Sequence, residues 1–332
     1  MEVANGRNAH CSGDGILHEA NTARLMPVAN GTCFATDEAG GPHLQTVSQP
    51  GSLLSQTTNP MLLDADAVAF YRQAIDVLDA AGVPFLVGGA YAFSEYTGIQ
   101  RHTKDFDLFL KGVDLERARA AFRAAGYETE VRFEHWIAKV FGPGDLFVDL
   151  IFSSGNGIAE VDDAWFEFAA PGRVVDRDVR LCPAEEMIWS KAFIQERERF
   201  DGADVAHIFK ARADRMDWPR LIARFDQNWR VLYSHLVLFG YIYPDHRLLV
   251  PSWVMTDLNT RLITETTTAV PAEHVCNGPV LSRQQYLPDL KEGYQDARIA
   301  TLGTMTEEQV EAWTDAIRVD GDGATKNSEL AD

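Results

Sequence analysis

The pattern of apolar and polar residues first becomes regular near Asp64. Apolar side chains then recur every three or four positions up to Gly82, which predicts an amphipathic helix with a glycine at its C-terminal end. A short apolar run at residues 85–87 predicts a buried strand, and Gly88 and Gly89 end it in a tight turn before a helix-permissive stretch. The pattern therefore predicts helix, strand, glycine turn and helix in succession.

Three further strands are predicted after this turn. Residues 105–110 alternate polar and apolar positions before they become fully apolar, and a period of two places Asp105 and Asp107 on the same face of the strand. A hairpin is predicted next, with its arms at residues 129–141 and 146–152. The second arm contains a single acid within an apolar run.

The later part of the chain has mostly helical spacing. Two short strands are predicted within residues 173–181, and the helices that follow are predicted at residues 183–199, 218–228, 230–242 and 253–262. Beyond residue 265 the pattern weakens, with one helix predicted from Glu307 before an acidic tail.

Residues 1–60 have no sustained hydrophobic period and are rich in Gly, Ser, Thr, Asn and Pro. Such a composition buries too little apolar surface to offset the entropy of ordering, so we expect a largely disordered leader. A start codon assigned too far upstream would give the same pattern.

Composition limits the kinds of protein this chain can be. Its 332 residues, 46% of them apolar, suffice for two modest domains with a sizeable core. The net charge of -19 disfavours nonspecific attraction to an anionic membrane or to nucleic acid, unless a local basic patch attracts the latter. The four cysteines lack paired spacing, and the longest apolar run, residues 236–243, is too short to span a bilayer. We therefore expect a soluble cytoplasmic protein without a disulfide framework, a zinc site or a membrane partner.

The aspartates and the glycine turn are the parts of a site for phosphate chemistry. Two like charges on one face of a strand repel, and a fold tolerates them best when they face water or share a cation. Mg2+ takes few carboxylates and completes its shell with water and substrate phosphates. A glycine turn that opens a helix lets backbone N–H groups approach a phosphate. The combination indicates phosphoryl or nucleotidyl transfer.

Each part has an ordinary alternative when it is taken alone. An isolated Gly-Gly is usually a plain turn, and Asp105 with Asp107 would be a solvated pair, because acid-x-acid pairs recur along this acidic chain. The other pairs include Asp64 with Asp66, Glu128 with Glu130, Asp176 with Asp178, Glu196 with Glu198, and Asp320 with Asp322. The joint arrangement of strand, glycines, helix, acidic pair and strand is much harder to obtain by accident.

Asp149 is the single acid in the apolar arm of the hairpin. An unpaired carboxylate there would suffer a large desolvation cost or would shift its pKa to stay neutral. Asp149 is therefore either a solvent-facing residue of an edge strand or a third carboxylate of the site.

A resemblance to a known family lies in the residues Gly88-Gly89 and Arg101-x-Thr103-x-Asp105-Phe106-Asp107. They are similar to the signature of the DNA polymerase beta-like nucleotidyltransferase superfamily, and most similar to its branch of antibiotic nucleotidyltransferases and AbiEii-type toxin nucleotidyltransferases. The resemblance covers roughly residues 69–209. It implies a small mixed sheet with flanking helices, two Mg2+ ions, and a third carboxylate on a later strand, at the position of Asp149.

The resemblance and the local pattern together give each candidate site residue a role. Asp105 and Asp107 would hold two metal ions, while Asp149 would share one of them and act as the general base. The expected nucleotide-binding residues are Gly88 and Gly89 for the phosphates, Arg101 and Lys191 for positive charge, and Thr103 to fix the loop. Lys191 lies on the margin of an apolar helix face, where a lysine that reaches out to solvent is the alternative.

The sequence thus predicts an α/β (α+β) fold with a nucleotidyltransferase catalytic domain at residues 61–182, a helical domain at 183–265, and an extension of unclear structure with an acidic tail at 266–332. The predicted activity is Mg2+-dependent transfer of a nucleoside monophosphate from an NTP to the hydroxyl group of a small molecule or a protein. Two alternatives stay open: a toxin-like nucleotidyltransferase that acts on RNA, and a non-catalytic nucleotide-binding protein that keeps the fold.

Overall fold

The computed structural model describes residues 65–101 and 105–326, with side chains up to residue 316. The predicted leader at residues 1–60 and the last residues of the acidic tail lie outside the described residues. Thr103 lies outside them as well, so its predicted place in the loop before the acidic strand stays a prediction.

Seven strands form one mixed sheet in the first part of the described chain. They are β1 (Leu86–Val87), β2 (Asp105–Phe109), β3 (Glu128–Phe133), β4 (Ile137–Phe141), β5 (Phe147–Ile151), β6 (Ala170–Val174) and β7 (Arg177–Leu181). Their order across the sheet is β3-β4-β5-β2-β1-β7-β6. β2 is parallel to β5 and β1 is parallel to β7, whereas the other neighbours are antiparallel. The predicted mixed sheet is confirmed.

Helices pack against the sheet and make up most of the chain after it. The helices between the strands and before them are α1 (Ala65–Ala80), α2 (Gly89–Thr97), α3 (Leu115–Ala124) and α4 (Asp163–Glu167). The next five are α5 (Ala184–Ala192), α6 (Gly202–Arg212), α7 (Trp218–Phe225), α8 (Trp229–Ile242) and α9 (Ser252–Glu265). Short 3-10 helices lie at Gly112–Asp114, Ala213–Arg215, Asp226–Asn228 and Arg247–Leu249. The predicted combination of a sheet with flanking helices and a helical region is confirmed.

The alternation of residues in β2 decides which way its side chains face. Phe106 and Leu108 are fully buried in the core, and Asp105 and Asp107 lie on the opposite face. On the core side, the ring of Tyr71 from α1 stacks on Phe106 with centroids 4.9 Å apart. The core therefore anchors the strand while its other face carries the two acids.

The predicted single strand at residues 129–141 differs from the structure in one respect. A turn at residues 134–136 divides it into β3 and β4, so that the segment forms a three-stranded meander with β5. The N–H of Trp136 donates to the carbonyl of Phe133 at 3.2 Å, and Phe133 pairs with Ile137 across the turn. The sequence of this turn contains no glycine or proline, which is why the pattern did not predict it.

Helix α5 also differs from its prediction, because it ends at Ala192 and not near residue 199. The chain then turns back, and the N–H of Asp201 donates to the carbonyl of Ile194 at 3.1 Å. This turn returns the Asp201 carboxylate to Lys191 of α5. The helix thus ends before a turn whose ion pair joins residues ten positions apart, and helical spacing does not predict such a turn.

The chain beyond residue 265 forms several short elements and one long helix. β8 (Val275–Cys276) pairs in parallel with β9 (Gln295–Asp296). The helices are α10 (Gly278–Leu281), α11 (Leu287–Lys291), α12 (Ala297–Ala300) and α13 (Glu307–Lys326). The helix predicted from Glu307 is confirmed as α13. The other elements have only two to five residues each, which is too short for a periodic signal.

One apolar cluster runs from the sheet into the helices and joins Leu86 of β1, Ile188 of α5 and Leu258 of α9. The described residues all belong to a single unit, Thr58–Asp332. The division into a catalytic and a helical domain at residue 182 stays a prediction. Across the two described ranges, none of the helices combines the length and the apolar character needed to cross a bilayer.

Candidate active site

The parallel pairing of β2 with β5 brings the predicted carboxylates together. Asp107 lies opposite Asp149 in the register of this pair, and Asp105 lies opposite Phe147. All three aspartates line one cleft of about 1270 Å³. β5 lies between β4 and β2, so Asp149 is not an edge-strand residue, and it is only 8% exposed.

Gly89 and Asp107 share a space that admits only a glycine. A Cβ atom at Gly89 would lie 1.6 Å from Oδ2 of Asp107, and the φ of Gly89 is +52°, in the left-handed region. Gly88 instead makes room for the ring of Phe109, which lies 2.3 Å from the position of a Cβ there. Gly89 lines the cleft, whereas Gly88 does not. The turn therefore seats the Asp107 carboxylate at the first residue of α2.

The carboxylate of Asp107 is crowded by other negative charges. Burial raises the pKa of Asp107 to about 7, and the carboxylates of Asp149 and Asp105 add to this effect. The cations of Lys191 and Arg199 lower the pKa but do not cancel the rise. The pKa of Asp107 thus lies far above that of an ordinary aspartate. Such crowding favours a ligand that brings positive charge to this point.

Lys139 of β4 holds Asp149 in place. The two residues are partners in the antiparallel register of β4 with β5, and Nζ of Lys139 donates to Oδ1 of Asp149 at 2.8 Å. The ammonium also lies 3.5 Å from the centre of the Phe147 ring. Burial nevertheless raises the pKa of Asp149, with Lys139 acting against it. The sequence could not identify Lys139, because its pairing depends on the register that the meander sets.

Arg101, Lys191 and Arg199 line the same cleft, and we term them the basic cluster. Two buried aspartates connect them: Nζ of Lys191 is 2.8 Å from Oδ2 of Asp201 and 2.9 Å from Oδ2 of Asp204. Arg199 donates two hydrogen bonds of 3.0 Å to Asp201, and Arg101 pairs with Asp204. The ammonium of Lys191 is therefore ion-paired inside the cleft and does not reach out to solvent.

The segment beyond residue 265, to which the sequence analysis assigned no role, forms the wall of the cleft that we term the far wall. The residues that line the cleft from this segment are Pro279, Val280, Leu281, Arg283, Gln284 and Trp313. Nδ2 of Asn156 donates to the carbonyl of Val280 at 2.8 Å, and the hydroxyl of Thr304 donates to the carbonyl of Asn156 at 3.1 Å. These bonds attach the segment to the loop that follows β5.

The structure brings most of the predicted site residues into one cleft. Those that line it are Gly89, Arg101, Asp105, Asp107, Asp149 and Lys191. Arg199, Asp201 and Lys139 were not predicted as site residues from the sequence. The mixed run of charges at residues 197–201 was the available signal for the first two.

The aspartates fit a hard divalent cation by their chemistry. Asp105, Asp107 and Asp149 offer carboxylate oxygens, which are the ligands that Mg2+ prefers. A cation would also relieve the crowding that raises the pKa of Asp107. Within residues 65–101 and 105–316, whose side chains are described, no group of three or more His, Cys, Asp or Glu side chains is already arranged around one ion position. The fit is thus one of donor chemistry, and we derive no coordination geometry from it.

No protein-family model and no curated protein sequence matches the chain. Several solved structures are similar to it. The antibiotic-resistance factor ANT(2'')-Ia is 16% identical, over 62% of this chain and 97% of that chain, with a TM-score of 0.34. The lincosamide antibiotic adenylyltransferase LnuA is 15% identical, over 42% of this chain and 94% of that chain, with a TM-score of 0.32.

An antigenic nucleotidyltransferase-like protein from Paracoccidioides brasiliensis is 16% identical, over 55% of this chain and 91% of that chain, with a TM-score of 0.35. At such scores the similarity by itself decides nothing about chemistry. These three proteins are an antibiotic-resistance factor, an antibiotic adenylyltransferase and a nucleotidyltransferase-like protein.

Proposed function

We propose that this protein is a nucleotidyltransferase, which moves a nucleoside monophosphate from an NTP to a hydroxyl group of an acceptor. The observation that carries the proposal is the pairing of β2 with β5, which puts three aspartates in one cleft with the basic cluster. Such a cleft supplies oxygen ligands for a cation and positive side chains for a polyphosphate. Both are required for transfer of a phosphoryl group.

The proposed reaction forms one bond and breaks another. The acceptor oxygen bonds to the α-phosphorus while the bond from that phosphorus to the bridging oxygen of the β-phosphate breaks, and pyrophosphate leaves. Asp149 accepts the hydroxyl proton at the carboxylate oxygen that Lys139 does not hold. Lys139 keeps this carboxylate oriented through the other oxygen.

Asp105, Asp107 and Asp149 are the residues that would hold Mg2+, and we propose two ions. When bound, the ions make the acceptor hydroxyl more acidic and stabilise charge on the phosphoryl group in transfer. The chain contributes the positions of the carboxylates, which are set by the β2–β5 register. The glycine turn adds to this, because Gly89 leaves the Asp107 carboxylate room at the start of α2.

The basic cluster and the start of α2 are the proposed site of the triphosphate. Helix α2 begins at Gly89, and the first backbone N–H groups of a helix carry partial positive charge. The basic cluster has three cations for the carboxylates of Asp201 and Asp204, but the cleft has more acidic than basic side chains, so an anionic ligand would bind together with the cations held by the three site aspartates. Thr103 is proposed to fix the loop before β2, and Gly88 to shape the turn from behind.

The proposed acceptor is a small molecule or a protein. The net charge of -19 disfavours RNA, which a toxin-like nucleotidyltransferase would modify. A non-catalytic nucleotide-binding protein would gain nothing from Asp149, since a buried carboxylate beside Asp107 costs stability. A catalytic role for the Asp149 carboxylate would explain why the fold keeps it despite this loss of stability.

Calorimetric titration of each of the four NTPs with Mg2+ tests the proposal, with pyrophosphate release as a second readout. We expect one NTP to bind, and Asp105→Asn/Asp107→Asn to weaken binding at least about tenfold, because the cation loses two ligands. Asp145→Asn is the matched control, because Asp145 lies exposed in the turn between β4 and β5. The control should bind like the parent protein.

Three results would argue against the proposal. Failure of the folded parent to bind any NTP, or equal affinity in the double variant, would refute it. NTP binding without pyrophosphate release across a panel of hydroxyl acceptors would favour the non-catalytic alternative. Tight binding of an RNA oligonucleotide that weakens steeply with salt would favour the toxin-like alternative.

A further inference from the structure

The cleft extends from the aspartates to a pair of tryptophans. Ile151 is two residues beyond Asp149 on β5, about 7 Å along the same face of the strand, and it also lines the cleft. Ile151 pairs with Ile137, which directly follows Trp136. Trp136 and Trp313 both line the cleft. A molecule whose hydroxyl lies at Asp149 can therefore reach these two rings.

We term Trp136 and Trp313 the aromatic wall. Their ring centroids are 5.2 Å apart, with the planes at 76°. Trp313 also meets the ring of Phe133 edge to face at 4.8 Å, and the guanidinium of Arg283 lies 3.9 Å from its centre. A Cβ atom at Gly155 would lie 2.4 Å from the Trp313 ring, so the loop after β5 packs directly on it. These contacts hold the wall in position before a ligand arrives.

The indole N–H of Trp136 is buried and has no hydrogen-bond partner in the part of the chain that the structure describes. A buried donor without a partner is costly. Trp165 and Trp189 have indole N–H groups in the same situation, but neither residue lines the cleft. Because Trp136 itself lines the cleft, a ligand oxygen that displaces the groups covering this N–H would satisfy it.

The charged groups beside the aromatic wall are engaged with each other. Glu196 accepts hydrogen bonds from the hydroxyl of Ser282 at 2.7 Å and from the backbone N–H of Arg283 at 3.2 Å. Its carboxylate is also 3.3 Å from Nε of Arg283. The surface presented to a ligand therefore combines the two rings and Val280 with neutral polar side chains, among them Ser153, Asn156 and Gln284.

The order of the strands separates the aromatic wall from the proposed triphosphate site. Gly89 follows β1, which lies on one side of β2. Asp149 and the residues that lead to Trp136 belong to β5 and β4, which lie on the other side. An acceptor must approach the α-phosphate opposite the leaving pyrophosphate. The acceptor is therefore expected to bind on the β5 side of β2, and the triphosphate on the β1 side.

We propose that the aromatic wall is the acceptor subsite, and that the acceptor is a neutral molecule with an aromatic ring and an oxygen that accepts a hydrogen bond from Trp136. This assignment rests on the proposed function, because Asp149 marks where the hydroxyl reacts. The ring packs against Trp136 and Trp313 in an edge-to-face or offset arrangement. The hydroxyl is on the substituent that extends past Ile151 towards Asp149.

The test uses three small hydroxyl compounds as probes for the full chain with Mg2+. 4-(Hydroxymethyl)benzamide has the ring, the hydroxyl and a carbonyl acceptor. trans-4-(Hydroxymethyl)cyclohexanecarboxamide lacks only the aromatic character, and benzyl alcohol lacks the carbonyl. Saturation-transfer NMR titrations, with and without an α,β-methylene NTP analogue, should show the benzamide bound at least about fivefold more tightly than the cyclohexane compound.

Two variants test separately the packing of the ligand ring on Trp313 and the hydrogen bond from Trp136. Trp313→Leu should weaken binding of the benzamide by about fivefold or more. Trp136→Phe keeps a ring but removes the N–H, so it should weaken the benzamide by about fivefold and leave benzyl alcohol within about twofold. Both variants should bind the NTP analogue within about twofold of the parent, because the wall is on the acceptor side.

Equal affinity for the aromatic and the saturated compound would overturn the proposal. Competition between the benzamide and the NTP analogue, with weaker analogue binding in Trp313→Leu, would also overturn it and would assign the wall to the base. Should Trp313→Leu not fold, the conservative Trp136→Phe variant decides alone. NTP binding without binding of the benzamide refutes the acceptor subsite only, whereas benzamide binding without NTP binding refutes the proposed function.

Discussion

The carboxylate of Asp107 lies beside two others and is shielded from bulk water, and its pKa rises from 3.8 to about 7. The folded protein therefore binds a proton at pH values where the unfolded chain has released it. Between these two pKa values, the free energy of unfolding falls as the pH rises, because the folded state binds more protons than the unfolded state. Well above pH 7 Asp107 is ionised in both the folded and the unfolded state, so the unfavourable free energy of burying its charge no longer changes with pH.

Asp107→Asn should therefore stabilise the fold while it removes the proposed activity. We expect the free energy of unfolding at pH 8 to rise on the order of 2 kcal/mol, discounted because Asp107 keeps partial contact with solvent, and the gain to be much smaller at pH 5. Denaturation in a chelator at both pH values would measure this. Asp145→Asn should show no such pH dependence, and a destabilised Asp107→Asn protein at pH 8 would contradict the prediction.

The ion pair with Lys139 offsets part of the free-energy cost of burying the Asp149 carboxylate. Lys139→Met keeps the length of the side chain but leaves the carboxylate unpaired, so we expect the free energy of unfolding to fall by about 2 kcal/mol. This is less than for a fully buried pair, because the Lys139 side chain is 23% exposed. Adding Asp149→Asn should recover most of the loss, since the unpaired charge is then gone.

The control for this pair is Lys111→Met, which removes a surface ion pair with Asp163. Ion pairs of that kind contribute little, so this variant should unfold like the parent. Denaturant titrations of the four proteins at pH 7 would decide. A double variant as unstable as Lys139→Met alone would show that Lys139 acts through its packing on Phe147 and not through its charge.

At the scale of the elements, the turn between α5 and α6 attaches the far wall to the helices. Glu196 in this turn accepts hydrogen bonds from Ser282 and Arg283, while its neighbour Glu198 is exposed and pairs only with Arg197 among the contacts of the described chain. Glu196→Ala should speed amide exchange across residues 278–313 by about tenfold, because the segment loses one of its anchors. Glu198→Ala, the matched control, should not.

Hydrogen exchange read by mass spectrometry would locate the change. The strands β2 and β5 should keep their protection in Glu196→Ala, because none of the three hydrogen-bonded residues belongs to the sheet. Faster exchange spread over the sheet would mean that the variant loosens the whole fold, and the anchoring role of Glu196 would then be wrong.

Elements with a local signal could be predicted from the sequence. The helical stripe of α1 and the alternation of β2 are each contained in one stretch, and both predictions are confirmed. The turn between β3 and β4 and the end of α5 could not be predicted, because contacts from other parts of the chain decide them. The Asp201 carboxylate on Lys191 is one such contact.

At the scale of the whole molecule, long-range pairing decides what the sequence reveals about the site. The shared face of Asp105 and Asp107 could be predicted from the two-residue period of a strand. A special role for Asp149 could be predicted from the desolvation cost of a carboxylate in an apolar run. Their meeting in one cleft required the parallel register of β2 with β5. Apart from α13, the far wall had no periodic signal, because its other elements are short, and its bonds to Asn156 join residues 124 and 148 positions apart.

The far wall is also the last part of the cleft to be synthesised. Residues 278–313 are synthesised after every strand of the seven-stranded sheet and after the basic cluster. A chain that is still on the ribosome can thus assemble its acids and cations while one side of the cleft is absent. In the proposed reaction, the triphosphate site and Trp136 of the aromatic wall belong to the part of the protein that is made first, and Trp313 completes the acceptor subsite only when the later part has been made.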